Sequence, residues 1–115
     1  MLFRSDIALA YAGVDGAVVH ALADAGAKGI VSSGLGSGSA PRAFLNALVE
    51  ARKRGVCIVA ASQTGNGRVM ARRALVERGF VVADNLAPKK ARILLMLALT
   101  KTGGAEAIQR MMLRY

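Results

Sequence analysis

A chain of 115 residues, 54% of them hydrophobic, suits one domain with one core and is too apolar to be a disordered segment. Sixteen lysines and arginines against seven acids leave a net charge of +9. The cations are scattered from Arg4 to Arg114, aromatics make up only 4%, and no base-stacking module is visible, so a nucleic-acid partner is not favoured. Cys57 has no second cysteine to pair with, and neither it nor the single His20 sits in a metal-ligand spacing, so no metal site is assigned. The longest strongly apolar run, residues 93–99, is too short to cross a bilayer.

Residues 1–5 read as a non-native leader, which implies that the natural chain continued upstream and leaves 6–115 as the domain. Residues 6–11 form a first strand. Asp15 is placed to cap a helix over 17–25, with Val18, Val19, Leu22 and Ala25 on one face, and Gly26 stops it. A second strand covers 29–32. A helix over about 41–54 follows, its inner stripe Phe44, Leu45, Leu48 and Val49, its last turn Arg52, Lys53 and Arg54. The third strand is 56–60, with Cys57 as a buried, inert thiol. A shorter helix spans 69–78, a fourth strand 80–83, and Pro88 opens a helix reaching Thr102. Residues 93–99 are apolar on nearly every side, which predicts a helix sandwiched between other elements. A final helix over 105–113 turns Ile108, Met111 and Met112 inward. Strands alternating with helices predict an α/β fold, a small four-stranded parallel sheet covered by helices on both faces.

The joint between the second strand and its helix, Ser33 to Pro41, is the stretch richest in chemistry. Gly34, Gly36 and Gly38 permit positive φ and close backbone approach. Ser33, Ser37 and Ser39 supply small hydroxyls at a strand's carboxyl end, where ligands collect in open parallel sheets. The same residues also make an ordinary tight turn, with Ser39 as a helix cap. After the third strand, Ser62 and Thr64 either line a cleft or satisfy loop backbone. Lys90 and Arg92 oppose the helix dipole in their first turn, which favours a partner's carboxylates over simple solvation. His20 has only Asp24 at helical spacing, a surface pair and not a triad. Tyr11 belongs to the core or the rim.

Four segments together resemble a known family: Ala27-Lys28-Gly29-Ile30-Val31, the Gly34-x-Gly36-x-Gly38 turn, Arg54-Gly55-Val56, and above all the run from Ala83-Asp84-Asn85-Leu86 through Pro88 and Lys90-Ala91-Arg92 to Thr100. The chain from Asp6 onward is similar to the C-terminal domain of the bacterial L-asparaginase/glutaminase family. The resemblance implies hydrolysis of an amide such as that of asparagine, to aspartate and ammonia, without cofactor or metal. It implies that the nucleophilic threonine and its proton-handling threonine, lysine and aspartate lie in an N-terminal domain that this chain lacks. No catalytic residue is therefore assigned here. It further implies a homo-oligomer in which the C-terminal domain of one subunit borders the active site of another. The substrate-bordering asparagine of the family's Gly-Asn-Gly-Asn turn corresponds to Ser39, with Ser37 beside it, and these two are the candidate substrate-binding residues. The family's glutamate after the third strand falls near Arg72. The bacterial cytoplasm and the periplasm are both open as compartments. Two other functions fit the residues: a nucleotide- or anion-binding module built on the glycine turn, and non-specific nucleic-acid association through the +9 charge.

Overall fold

The computed structural model describes residues 4–11, 13–34, 40–63, 77–84, 86–101 and 104–114. Four parallel strands form one sheet in the order β1-β2-β3-β4: β1 (Ser5–Leu9), β2 (Gly29–Gly34), β3 (Cys57–Ser62) and β4 (Val81–Val82). The described helices are α1 (Ala17–Asp24), α2 (Arg42–Lys53), α3 (Pro88–Leu99) and α4 (Ala105–Arg114). Most of the predicted helix over 69–78 lies outside the described residues.

The register is unbroken from Ser5 opposite Gly29 to Leu9 opposite Ser33, and from Gly29 opposite Cys57 to Gly34 opposite Ser62. Every residue of β2 and β3 is buried, as expected for central strands covered on both faces. Because side chains alternate, the strands feed two separate cores. Ile30, Ile58 and Val82 face α1 and α2, where Val19, Phe44 and Leu48 pack on them. Val31, Val59 and Val81 face α3 and α4, where Leu95, Ile108 and Met112 close the second core. The single order of progression explains this layering. Right-handed crossovers that always step in one direction put α1 and α2 on the same face. The opposite face is left for α3 and α4, which follow the last strand.

Two glycines are fixed by packing. A Cβ on Gly16 would stand 2.6 Å from the Ala47 Cβ, so α1 can enter this close to α2 only without a side chain there. A Cβ on Gly29 would meet Leu95 Cδ2 at 2.7 Å, where α3 lies against β2.

Several boundaries differ from those expected. The first strand begins at Ser5 and ends at Leu9, so residues assigned to the leader take part in the fold. The Arg4 carbonyl accepts the Lys28 and Gly29 N–H groups at 2.9 and 3.3 Å. The Arg4 guanidinium pairs with Asp6 at 2.7 Å. Both central strands run two residues past their expected ends, because Ser33 and Ser62 continue the ladder while buried. The α1 N-cap is Gly16, and Asp15 contributes from one residue earlier by accepting the Ala17 N–H at 3.0 Å. Val19 and Ala23 are the buried residues of α1; Val18 is 49% exposed, and Ala25 lies on the outside. α3 stops at Leu99, where Thr100 Oγ1 donates back to the Leu97 carbonyl at 2.6 Å. Nor is α3 sandwiched: Leu95 and Ala98 are buried on the sheet, but Ile93 and Leu97 are half exposed on the far side.

Candidate functional site at the carboxyl edge of the sheet

The strands end together on one edge of the molecule, and backbone hydrogen bonds hold those ends in step. The Ala10 N–H donates to the Ser33 carbonyl at 3.0 Å, just beyond β1. The Gln63 N–H donates to the Gly34 carbonyl at 2.9 Å, just beyond β3. Gln63 then reaches across β2 with its side chain, and Nε2 donates to the Ala10 carbonyl at 3.0 Å. One residue thus ties the exits of three strands. Gly34 and Gln63 are also the residues from which the serine–glycine turn and the loop after β3 depart.

Tyr11 stands on this edge with 58% of its surface exposed, so it belongs to the rim. Its carbonyl accepts the Val14 N–H at 3.0 Å and closes the turn before α1. Ser33 and Ser62 point inward and are buried. Asp84 leaves β4 with φ of 58°, a left-handed turn that aspartate tolerates better than most side chains. Ser37 and Ser39, the candidate substrate contacts, lie outside the described residues, as do Thr64 and Arg72.

The order β1-β2-β3-β4 bears on what this edge can do alone. Ligand crevices in open parallel sheets form where the strand order reverses and adjacent loops diverge to opposite faces. The order here never reverses. The described strand exits therefore lie in one row along the edge, with no reversal to open a crevice between them.

Away from this edge, the reactive side chains have structural roles. Arg92 Nε donates to the Ser5 carbonyl at 2.9 Å, and Ser5 Oγ returns a bond to the Arg92 carbonyl at 3.2 Å. That reciprocal pair fastens α3 to β1 through Nε of the guanidinium. His20 meets Glu50 of α2 at 3.7 Å, while Asp24 is held by Arg54 at 2.9 Å, so the expected His20–Asp24 pair is replaced by two inter-element contacts. Burial pushes the Cys57 thiol up to about 11, partly offset by the Arg52 charge. Among the described residues no three His, Cys, Asp or Glu side chains cluster as metal ligands. Within the same residues no helix is long and apolar enough to cross a membrane.

Gln63 and Gln109 escaped sequence reasoning. Gln109 Oε1 accepts the Val82 N–H at 2.8 Å and Nε2 donates to the Val82 carbonyl at 2.9 Å. Both glutamines act on backbone far away in the chain, which no local pattern encodes. The one available hint was a long amide directly after an apolar strand, at Gln63.

Fold and edge together define a class: a parallel α/β domain whose strand exits gather in step on one edge. Within that class the sequence is specific. The model of the glutaminase/asparaginase C-terminal domain matches residues 4–112, and the chain belongs to that family. The glutaminase-asparaginase of Pseudomonas fluorescens is 43% identical over 113 residues, covering 96% of this chain and 31% of that protein. A Haemophilus influenzae protein named "Probable L-asparaginase periplasmic" is 40% identical over 107 residues, covering 90% of this chain and 30% of its own length. The crystal structure of a "Probable Cytoplasmic L-asparaginase" from Campylobacter jejuni superposes with a TM-score of 0.94 at 38% identity, covering all of this chain and 38% of that one. The chain thus spans about a third of the length of these relatives.

Proposed function

We propose that this domain completes an asparaginase-like amidohydrolase, which hydrolyses the side-chain amide of asparagine or glutamine to the acid and ammonia. Its carboxyl edge forms one wall of the active site, and its outer faces contribute contacts between subunits of a homo-oligomer. The nucleophile and its proton-handling partners belong to the two-thirds of the relatives' length that lies outside the match. The observation that carries this reading is the family match over residues 4–112 at about a third of the relatives' length. The unreversed strand order supports it, because such an edge borders a cleft without enclosing one. Cys57 is buried and protonated at neutral pH, and His20 sits on the helical side of the fold beside Glu50, so neither offers a nucleophile to the carboxyl edge. A compartment open to small amides suffices, in the bacterial cytoplasm or the periplasm.

The test replaces the matching third of the Pseudomonas fluorescens enzyme with this chain and follows ammonia release from asparagine and glutamine. Activity is expected from the chimera and none from the 115-residue chain alone. Turnover by the isolated chain, or a folded chimera without activity, would overturn the proposal.

A further inference from the structure

A concavity lies between the last two helices. α3 and α4 leave a groove of about 940 Å³ on the outside of the second core. Its floor is apolar: Ile93 and Leu97 of α3, each about half exposed, together with Met111 of α4. Its rim is cationic, with Lys90 near the start of α3, Lys101 just past its end and Arg110 on the opposite wall. None of these three is ion-paired among the described residues, and no acidic residue lines the groove.

We infer that this groove docks an amphipathic helix of a partner protein, one that presents an apolar stripe flanked by carboxylates. The shape suits a helix because both walls are helices. Lys90, Ile93 and Leu97 follow the three- and four-residue spacing of one face of α3, and Ala107, Arg110 and Met111 do the same on α4. Two such ridges receive a third helix through its own apolar ridge. The seven steps from Lys90 to Leu97 cover about 10 Å, so about two turns of the incoming helix span the site. The charge selects the partner. Carboxylates beside the apolar stripe meet Lys90, Lys101 and Arg110, whereas neutral or basic helices leave those cations facing bare apolar surface or like charge.

The same charge disfavours a second copy of this chain. A symmetric contact through the groove would bring two cationic rims together, in a chain of net charge +9. Three of the seven acids, Asp6, Asp24 and Glu50, are committed to pairs elsewhere on the surface. This inference does not depend on the proposed amidase reading.

The test uses fluorescence anisotropy of a labelled 14-residue helical peptide with leucines at i, i+4 and i+7 and flanking glutamates, at 0.15 M salt. Controls replace its glutamates with glutamine. Each exposed rim pair contributes a factor of a few at most, so the glutamine peptide is expected to bind about tenfold more weakly. Leu97→Glu, at a half-exposed position that leaves both cores intact, is expected to abolish binding while circular dichroism stays unchanged. The double reversal Lys90→Glu with Arg110→Glu is expected to switch preference to a lysine-flanked peptide. Equal binding of acidic and neutral peptides, absence of binding, or an indifferent Leu97→Glu would overturn the inference. Dimerisation of the chain, or binding to phosphatidylglycerol vesicles, that is lost in Leu97→Glu without peptide binding would assign the groove to those occupants instead.

Discussion

The edge of the sheet at β4 is closed by one side chain, and removing it should be costly in a calculable way. Ala83 donates its N–H to the Ala60 carbonyl at 2.9 Å, so the neighbouring Val82 turns its own N–H and carbonyl outward, away from β3. Val82 is almost completely buried, and Gln109 fills both needs at 2.8 and 2.9 Å. A primary amide carries a donor and an acceptor side by side, as the next strand's peptide would, and therefore substitutes for a fifth strand. Gln109→Met keeps the length of the side chain but removes both polar atoms. Each buried group left unpaired costs about 1–3 kcal/mol, so the pair predicts about 2–6 kcal/mol, reduced toward the lower end where water reaches the half-buried site. At about 4 °C per kcal/mol for a domain of this size, the melting temperature should fall by about 8 °C or more. Urea denaturation followed by circular dichroism measures the loss, and hydrogen exchange at the Val82 amide locates it. A Gln109→Met variant with unchanged urea midpoint and unchanged protection of Val82 would refute the account of the edge.

Three further substitutions or conditions test other joints. Gly16→Ala drives a methyl to within 2.6 Å of the Ala47 Cβ and toward the Ala43 carbonyl, so α1 and α2 must separate; about 1–3 kcal/mol should be lost in the same urea titration. Cys57 should resist a thiol reagent at pH 8 in the native state and react once the chain is unfolded. Because burial raises its folded pKa to about 11, the folded state holds its proton longer than the unfolded state does, and stability should fall as pH rises from about 9 toward 11; Cys57→Ala should flatten that slope. Gln63→Leu removes the bond to the Ala10 carbonyl, which should cost about 1 kcal/mol in stability. In the chimeric enzyme it should lower kcat/KM by more than that stability loss explains, because the loop exits lose their common tie.

The fold was legible where burial is uniform. β2 and β3 are short apolar runs bounded by glycine, and α2 carries a clear stripe through Phe44 and Leu48 that ends in cations before Gly55. The strand ends were not legible, because Ser33 and Ser62 look like loop residues and only the ladder shows that they continue a strand. The same limit applies to α3. A helix that is apolar all round reads as surrounded, yet composition cannot say which neighbour supplies the cover, and among the described residues Ile93 and Leu97 stay half exposed. Val18 misled for a related reason: an isolated apolar residue at the margin of a helix face is often solvent-exposed. For the site, the sequence pointed to the carboxyl edge through its glycines and serines, of which residues 35–39 lie outside the described residues. It could not point to Gln63 or Gln109, whose partners lie 53 and 27 residues away in the chain.

The two outward-looking features of the domain follow from one topological fact. Because the strands progress in a single direction, both described crossover helices crowd one face, and their acids are spent there on Arg54 and His20. The final two helices must then cover the other face by themselves. Two helices bury the centre of a four-stranded sheet but cannot bury their own outer surfaces, so the apolar excess of α3 emerges as a groove. The unreversed order likewise leaves the carboxyl edge without an opposing wall. Both features call for surface that this chain does not contain: carboxylates and an apolar stripe at the groove, and catalytic groups at the edge on the proposed function. A domain built this way is suited to being held between other parts, and its cationic groove rim and its tied loop exits at the edge offer different chemistry to each.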